Sequence, residues 1–452
     1  MNTLLPWLAR RRFPLLATAG LLAVGMVATT CGAHLVSEWG GQRVGGHGWA
    51  LPHDLWGTLA AAHRLVHLEI SGLYTPPTAL VTFPGAALIL VPVAAVIDAV
   101  GLGLGALGVH NPHPGAWLLA GPYEMALSSV ALFAADAVAQ RLGATPPKRA
   151  LLAAAGAVAL GSVSLGWGHP EDAVAVGLLL YAILALSDSR VGRSAWLIGA
   201  AVAVQPLVLL ALPVILTVLQ PGRLAGFLTR TAAPAALLLG VAAAANWKAT
   251  IHAVISQPNW PDIDHPTPWA SLAPHLNDGA VAAGPARALT ILLACGCALA
   301  VRHRWRLARQ MAGWSPEALR ALLWWVAVTL ALRCVFEPVM VAYYLWPVLA
   351  VALIVASPNW PSLVATSAAA SALTFVSQAS WRGPWIWWAT MMAGLGIVLL
   401  FAALSRAGRA PPAQRANLPG ELPAEPEGMP AAPVARGVND GPHARPGVIT
   451  GR

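Results

Sequence analysis

The sequence predicts an all-α protein that crosses a membrane many times, and three observations predict it. Hydrophobic residues make up 57% of the 452-residue chain and charged residues only 10%, whereas soluble domains carry about 25% charged residues. The apolar residues form runs long enough to cross a bilayer, which needs roughly 20 residues per helix. Arginines flank these runs, as in the connectors of polytopic proteins. We therefore expect a transmembrane helical bundle.

The apolar runs define the candidate spans in chain order. The first begins at Phe13, directly after three consecutive arginines. It is longer than the apolar core of a signal peptide and no small-residue cleavage pattern follows it, so we expect it to stay as the first span. The candidate spans are 13–33, 116–140, 149–167, 171–188, 230–247, 285–302, 318–336, 338–356, 361–379 and 384–405.

The basic connectors orient the spans, because Lys and Arg collect in cytoplasmic loops. The basic positions are Arg10 to Arg12, Lys148 and Arg149, Arg190 and Arg193, Arg223 and Arg230, Arg302 to Arg309, and Arg406 and Arg409. Two apolar stretches decide whether these positions share one side: 80–108, which Pro92 interrupts, and 194–219, which Pro206 and Pro213 interrupt. If each stretch is a pair of short or broken helices that returns to the same side, all the basic positions face the cytoplasm. This solution gives about 12–14 membrane segments, an outer-face loop layer and two cytoplasmic termini.

Two further expectations concern the whole chain. Residues 1–405 form the membrane domain, whereas 406–452 are rich in Pro, Ala, Gly and Glu and are expected to be a disordered cytoplasmic tail. The arginines that give the net charge of +9 lie beside the spans, so no nucleic-acid partner is expected. The four cysteines have neither zinc-type nor disulfide spacing. Abundant Ala, Gly, Pro and Arg are typical of a GC-rich bacterial genome, which suggests a bacterial plasma membrane.

This topology gathers the acidic and imidazole side chains on the outer side. The outer segments are 34–79, 109–115, 168–172, 248–284 and the corner at Glu337. Asp98 and Asp136 are exceptions, and we expect both near the cytoplasmic ends of their helices.

The strongest candidate site is the cluster Gly168-His169-Pro170-Glu171-Asp172 between two apolar runs. Ionisable groups beside hydrocarbon are costly and are usually functional. The alternative is a helix start, because Pro and acidic residues favour the first turn. One acid would suffice for that purpose, so two acids and a histidine slightly favour a site. Their spacing matches no defined metal-ligand motif.

Asp54 is the candidate base in the first outer loop, which also carries His63, His67 and Glu69. A carboxylate at the membrane surface can take a proton from a bound hydroxyl. Asp54 also begins an amphipathic stretch, and spacing alone favours a helix cap.

The third outer loop, 248–284, holds Lys248, His265 and two tryptophans, Trp260 and Trp269. Tryptophans at this depth are usually interfacial anchors, but aromatic faces also stack on sugars, so the loop is equally compatible with a glycan groove.

Arg333 and Glu337 stand four residues apart at the outer end of a helix, before Tyr343 and Tyr344. The spacing favours a structural salt bridge. The alternative is that the planar guanidinium of Arg333 binds a phosphate.

The order of these elements resembles the GT-C fold, in particular bacterial polyprenol-phosphate-mannose-dependent mannosyltransferases and their actinobacterial kin. Asp54, the pair Gly72 and Tyr74, and Val81-Thr82-Phe83-Pro84 carry the resemblance in the first half. The 168–172 cluster, Gly199 and Gln205-Pro206 carry it further on. The family's usual Tyr-Pro-Pro is Phe83-Pro84-Gly85 here, and its usual Lys is Gln205.

The resemblance implies an inverting transfer of a sugar, with mannose expected, from a polyprenyl-phosphate donor to an envelope lipid or glycan acceptor. Asp54 would be the general base on the acceptor hydroxyl. Arg333 or Lys248 would meet the leaving lipid phosphate. His169, Glu171 and Asp172 would orient a sugar, and Glu337 and His265 complete the substrate-binding candidates. No cofactor and no metal are predicted, because one cation suffices for a phosphate leaving group.

Two other functions remain open from the sequence. A transporter or flippase also uses broken helices, but it places ionisable groups near the membrane midplane, whereas the acids here gather at helix ends and in loops. A non-catalytic membrane scaffold is the third possibility.

Overall fold

The computed structural model describes residues 4–38, 53–75, 80–102, 114–309, 314–379, 383 and 385–404. Within them the protein is a bundle of α-helices, which confirms the all-α prediction. The first nine helices are α1 Leu4–Arg10, α2 Arg12–Glu38, α3 His53–Val66, α4 Pro84–Leu88, α5 Val91–Ala99, α6 Pro114–Ser128, α7 Val130–Arg141, α8 Pro146–Gly161 and α9 Pro170–Ser187. The others are α10 Val191–Val204, α11 Leu212–Leu216, α12 Pro221–Ala245, α13 Trp247–Ser256, α14 Gly284–Arg309, α15 Pro316–Phe336, α16 Trp346–Ala356, α17 Trp360–Ser377 and α18 Ile386–Leu404.

Seven helical stretches among the described residues are long and apolar enough to cross a membrane. They are Leu118–Arg141, Pro146–Trp167, Pro170–Ser187, Pro221–Ala245, Gly284–Arg302, Pro316–Phe336 and Ile386–Leu404. Shorter apolar helices cover Arg12–Val27, Val191–Val204 and Ala342–Ala356. The protein is therefore a polytopic helical bundle by length and composition. The predicted tail, 406–452, lies outside the described residues, as do 39–52 of the first outer loop.

The two stretches interrupted by proline are broken, as the sequence predicts. The first is divided between α4 and α5, and the second between α10, a 3-10 turn Pro206–Leu210 and α11. Proline lacks the N–H that a continuing helix needs. Gln205, just before Pro206, is extended with φ −147°, which ends α10 and turns its side chain toward α9.

The bundle has two chemically different ends, joined by α8 and α9. At the arginine end, defined by Arg11, Asp136, Arg141, Arg149 and Asp188, Asp136 contacts Arg11 and Arg149, and Arg141 contacts Asp188. At the histidine end, defined by Asp54, Glu124, His169, Glu171, Asp172 and Gln205, the candidate site is assembled. Helices of this length separate the ends by roughly 25 Å.

The two exceptional acids behave differently. Asp136 contacts Arg11 and Arg149 at the arginine end. Asp98 instead contacts His67, just beyond the end of α3, at 3.2 Å, because α5 packs along α3 and ends at Ala99. Their expected position near cytoplasmic helix ends stays a prediction.

Close packing holds the long helices together. All eleven residues of α16 are buried, and they form part of the main core with α7 to α10 and α15. Gly199 of α10 allows α12 to approach, since a Cβ there would lie 2.8 Å from the carbonyl oxygens of Arg230 and Thr231. Small residues of this kind let membrane helices pack backbone to backbone. A second core joins α3, α4 and α5.

Four two-residue strands order the loop after α13. The strands are β1 Pro258–Asn259, β2 His265–Pro266, β3 Val281–Ala282 and β4 Val339–Met340. β1 pairs with β3 and β2 with β4, both antiparallel. The second pair ties this loop to the corner that follows α15.

Candidate active site

The centre of the site is an imidazole between two carboxylates. His169 Nε2 lies 2.9 Å from Asp54 Oδ2, and His169 Nδ1 lies 2.6 Å from Glu171 Oε1. Asp54 comes from α3, whereas His169 and Glu171 stand at the start of α9, 115 residues further along the chain. The predicted meeting of the first outer loop with the 168–172 cluster is therefore present.

Local backbone geometry places His169 at this point. Ser162–Trp167 continue α8 as a π-helical segment, and Gly168 follows in the left-handed region with φ +72°. A non-glycine residue would be strained there. This turn reverses the chain, and His169 then occupies the N-cap of α9 without a side-chain capping bond. Its imidazole is consequently free to contact carboxylates rather than backbone N–H groups.

The two carboxylates favour the protonated imidazole. Burial alone would lower the pKa of His169, because it penalises the charged ring. The negative charges and hydrogen bonds of Glu171 and Asp54 outweigh burial and raise its pKa well above the ordinary value. An imidazolium at this position donates a hydrogen bond to Asp54 and orients its carboxylate.

Asp54 is the exposed member of the group. Its side chain is 39% exposed, while those of His169 and Glu171 are 10% and 2% exposed. It is the second residue of α3, and its bond to His169 gives it a partner that a helix cap does not require. The Asp54 carboxylate is therefore accessible to a bound molecule, while the buried His169 and Glu171 hold it in position.

Asp172 connects the other predicted motifs. Its Oδ1 accepts a hydrogen bond of 2.5 Å from Gln205 Nε2, and Thr82 Oγ1 donates to Gln205 Oε1 at 3.3 Å. Tyr74 donates from its hydroxyl to the carbonyl of Thr82 at 3.1 Å. Gln205 thus acts as an uncharged bridge between α9 and the loop before α4.

Glu124 is a site residue that the sequence analysis missed. Its side chain on α6 is fully buried, and neither oxygen has a hydrogen-bond partner among the described residues. It interacts electrostatically with Glu171 and His169. The sequence did hold a signal, because Glu124 is an acid within the apolar run 116–140, and such residues are functional candidates by default.

Two tyrosines join the imidazole to an arginine. The ring of Tyr343 stacks on His169 with centroids 3.9 Å apart, and Tyr344 packs edge-on against Tyr343 at 4.8 Å. The guanidinium of Arg333 lies 3.6 Å from the centre of the Tyr344 ring. Arg333 is therefore part of the same group as Asp54 and His169, and it also interacts electrostatically with Asp172.

The predicted salt bridge between Arg333 and Glu337 is weak. The closest approach, from Arg333 Nε to Glu337 Oε2, is 4.0 Å. Glu337 instead binds Arg287 of α14, whose Nε lies 2.7 Å from Oε1. Arg333 Nε and Nη1 are buried and have no hydrogen-bond acceptor among the described residues. Arg287, which the sequence analysis did not single out, thus leaves the donors of Arg333 available.

The loop before α14 packs over this corner. His265 stacks on Trp387 of α18 with ring centroids 3.9 Å apart. Trp269 donates from Nε1 to the carbonyl of Val335 at 2.6 Å, so it fixes the loop to α15. Trp260 is 37% exposed. His265 and Trp269 therefore border the Glu337 corner, one helical turn from Arg333.

Lys248 does not join the group. It is exposed on α13, where it lines an open depression of about 370 Å³ with Trp247, Ile251, His252, Ile255 and Ser256. Asn246 caps α13 and begins a new helix, which carries the following lysine onto the surface. Among the described contacts, none joins Lys248 to Arg333 or to the residues around His169, and its assignment to the lipid phosphate stays a prediction.

Comparisons with known proteins add no family. No protein-family model matches the chain, and no curated protein sequence matches it. The resemblance to the GT-C mannosyltransferases thus rests on the motifs of the sequence, and the chemistry on the side chains gathered at the histidine end of this polytopic helical bundle.

Proposed function

We propose that the protein is a membrane glycosyltransferase that transfers a sugar, with mannose expected, from a polyprenyl-phosphate donor to an envelope lipid or glycan acceptor. The observation that carries the proposal is the contact of Asp54 with His169 and of His169 with Glu171 at one end of an apolar bundle. It supports a carboxylate that faces outward and is held in place at a membrane surface.

The chemistry assigned to Asp54 is general-base catalysis. Its carboxylate takes the proton of an acceptor hydroxyl as the hydroxyl oxygen attacks C1 of the donor sugar. The bond between C1 and the phosphate oxygen breaks, and the lipid monophosphate leaves with the electron pair. Attack from the face opposite the phosphate inverts the anomeric carbon. His169 acts through Asp54, because its imidazolium orients the carboxylate.

The leaving phosphate needs a cation, and Arg333 is the candidate. Its side chain is 12% exposed, and its Nε and Nη1 donors have no acceptor among the described residues. Its guanidinium group packs against the ring of Tyr344. A guanidinium presents two parallel donors to phosphate oxygens. Glu337 is bound by Arg287 through Oε1, and its Oε2 lies 4.0 Å from Arg333 Nε, beyond hydrogen-bond distance.

The membrane orientation belongs to the same proposal. Arg11, Arg141 and Arg149 meet at the arginine end, which the positive-inside rule places in the cytoplasm. The histidine end then faces the outside of a bacterial plasma membrane, where a polyprenyl-phosphate sugar and envelope acceptors would reach Asp54. Both termini would be cytoplasmic.

The test uses the full-length protein in proteoliposomes with polyprenyl-phosphate [14C]mannose and extracted envelope lipids. We expect a labelled product with wild type and loss of that product with Asp54→Asn. Asp188→Asn is the matched control, because Asp188 is similarly exposed, at 42%, but lies at the arginine end. It should keep wild-type transfer.

Other outcomes distinguish the alternatives. Movement of the intact donor across the bilayer without cleavage of the sugar–phosphate bond would indicate a flippase and overturn the proposal. Equal transfer by Asp54→Asn and wild type would remove the base assignment. No transfer and no movement with any polyprenyl-phosphate hexose would favour a non-catalytic membrane protein.

A further inference from the structure

A second group of ionisable side chains lies at the far end of α3 from Asp54. His63 and His67 stand four residues apart, so one face of the helical turn presents both imidazoles. Asp98 of α5 faces them: its Oδ2 lies 3.2 Å from His67 Nε2 and its Oδ1 lies 3.9 Å from His63 Nδ1. The two imidazole rings are 4.6 Å apart, centre to centre.

A rigid scaffold holds the two elements together. Leu59 and Ala62 of α3 and Ala94 and Ile97 of α5 have no exposed surface and belong to one hydrophobic core. Asp98 directly follows Ile97, and His63 directly follows Ala62. The backbone positions of the three side chains are thereby fixed by packing that does not depend on their charges.

An ion pair between His67 and Asp98 accounts for only part of this arrangement. His63 Nδ1 is buried and has no hydrogen-bond partner among the described residues, and at 3.9 Å it is too far from Asp98 for a hydrogen bond. A buried nitrogen without a partner is costly. A ligand placed between His63, His67 and Asp98 would satisfy that nitrogen.

A metal ion fits the space between the three groups. One nitrogen from each imidazole and one Asp98 oxygen all lie within 4.8 Å of one another. Ligands at about 2.1 Å from a tetrahedral zinc ion stand roughly 3.4 Å apart, so rotations of the partly exposed His67 and Asp98 side chains close the difference. Two imidazoles and one carboxylate suit zinc-class divalent ions.

We propose that His63, His67 and Asp98 bind a divalent transition-metal ion of the zinc class, with a fourth position open to water. The ion links the end of α3 to the end of α5. This site is separate from the proposed transferase chemistry, because His63 and His67 follow Asp54 by 9 and 13 residues, which is roughly 14–20 Å along a helix.

The test is zinc binding by the full-length protein, purified without a polyhistidine tag and stripped with a chelator. Zinc is titrated in competition with a chromophoric chelator. We expect one equivalent bound with a Kd tighter than about 10 µM. His67→Gln and Asp98→Asn should each weaken binding at least about 100-fold. His252→Gln should bind as wild type, since His252 lies on the surface of α13.

Two further readouts guard against misfolded variants. Zinc should raise the melting temperature of wild type and His252→Gln but not of His67→Gln or Asp98→Asn, and metal-free variants should melt as metal-free wild type does. Cobalt should give the strong visible bands of tetrahedral coordination in wild type and His252→Gln but not in His67→Gln or Asp98→Asn. Equal zinc binding by wild type and both folded variants would overturn the proposal, as would a wild-type Kd weaker than about 10 µM.

Discussion

Two buried acids on one apolar stretch, Leu118–Arg141, show how differently the ends of the bundle are built. Asp136 accepts from Arg149 Nε at 2.7 Å on one oxygen, and from Arg11 and Arg149 at 2.7 and 2.6 Å on the other. Glu124, twelve residues earlier, has no hydrogen-bond partner on either oxygen among the described residues. At the arginine end, the carboxylate of Asp136 is fully paired with arginines. At the histidine end, the oxygens of Glu124 have no donor among the described residues, and a site for a bound molecule needs such unused acceptors.

The largest expected effect is on stability at the arginine end. Arg149→Ala leaves Asp136 with a single arginine in a buried position, and breaking a buried pair of this kind costs about 3–5 kcal/mol. Thermal or denaturant unfolding in detergent micelles measures the loss. Arg10→Ala, an exposed arginine nearby, is the control and should unfold as wild type does. A loss for Arg149→Ala no larger than that of the control would contradict a structural role for this end.

Arg333 should behave in the opposite way. Its removal is expected to weaken donor binding by about 10–150-fold, the range of one hydrogen bond to a charged group, while lowering the free energy of unfolding less than Arg149→Ala does. The measurement is the KM for the polyprenyl-phosphate donor. Arg333→Lys should recover part of the affinity but not the two-donor geometry. An unchanged KM in Arg333→Ala would remove Arg333 from the phosphate site.

The two acids of the comparison provide a matched pair of neutral substitutions. Asp136→Asn loses charge-assisted hydrogen bonds and should cost about 1.5–3 kcal/mol. Glu124→Gln loses none of the described hydrogen bonds and should change the free energy of unfolding by less than about 1 kcal/mol. Equal losses of unfolding free energy in the two variants would show that the carboxylate of Glu124 is stabilised by its surroundings as strongly as that of Asp136.

The smallest effect is a pH dependence carried by His169. Its folded-state pKa lies above the ordinary value of 6.5, so its contribution to stability is complete below about pH 6.5 and disappears as the pH rises through the raised pKa. The stability difference between wild type and His169→Gln should therefore shrink from neutral to alkaline pH. A difference that grows with pH would mean that the carboxylates do not hold an imidazolium.

Part of this comparison could be predicted from the sequence. Prolines at 92, 206 and 213 predicted the broken helices, and the placement of arginines predicted that Arg11 and Arg149 share an end. Local signals of this kind depend on residues adjacent in the chain. The 168–172 cluster was predicted as a site because its acids interrupt apolar runs.

The remaining contacts depend on how distant helices pack, which hydropathy does not encode. Glu337 is bound by Arg287, which lies 50 residues earlier in the chain. The i,i+4 spacing had favoured the local pair with Arg333. Glu124 reaches Glu171 only through the packing of α6 on α9. Lys248 was assigned to the phosphate because it is basic and lies in an outer loop, yet a new helix turns it onto the surface.

The most direct measurement is the rate of sugar transfer at saturating polyprenyl-phosphate donor for wild type, Asp54→Asn and Asp188→Asn. Loss of a general base should lower kcat by about 10²–10⁴-fold in Asp54→Asn, with unchanged donor binding and an unchanged melting temperature, while Asp188→Asn keeps the wild-type rate. Equal kcat values for the three proteins would contradict the assignment of the histidine end as a transferase site.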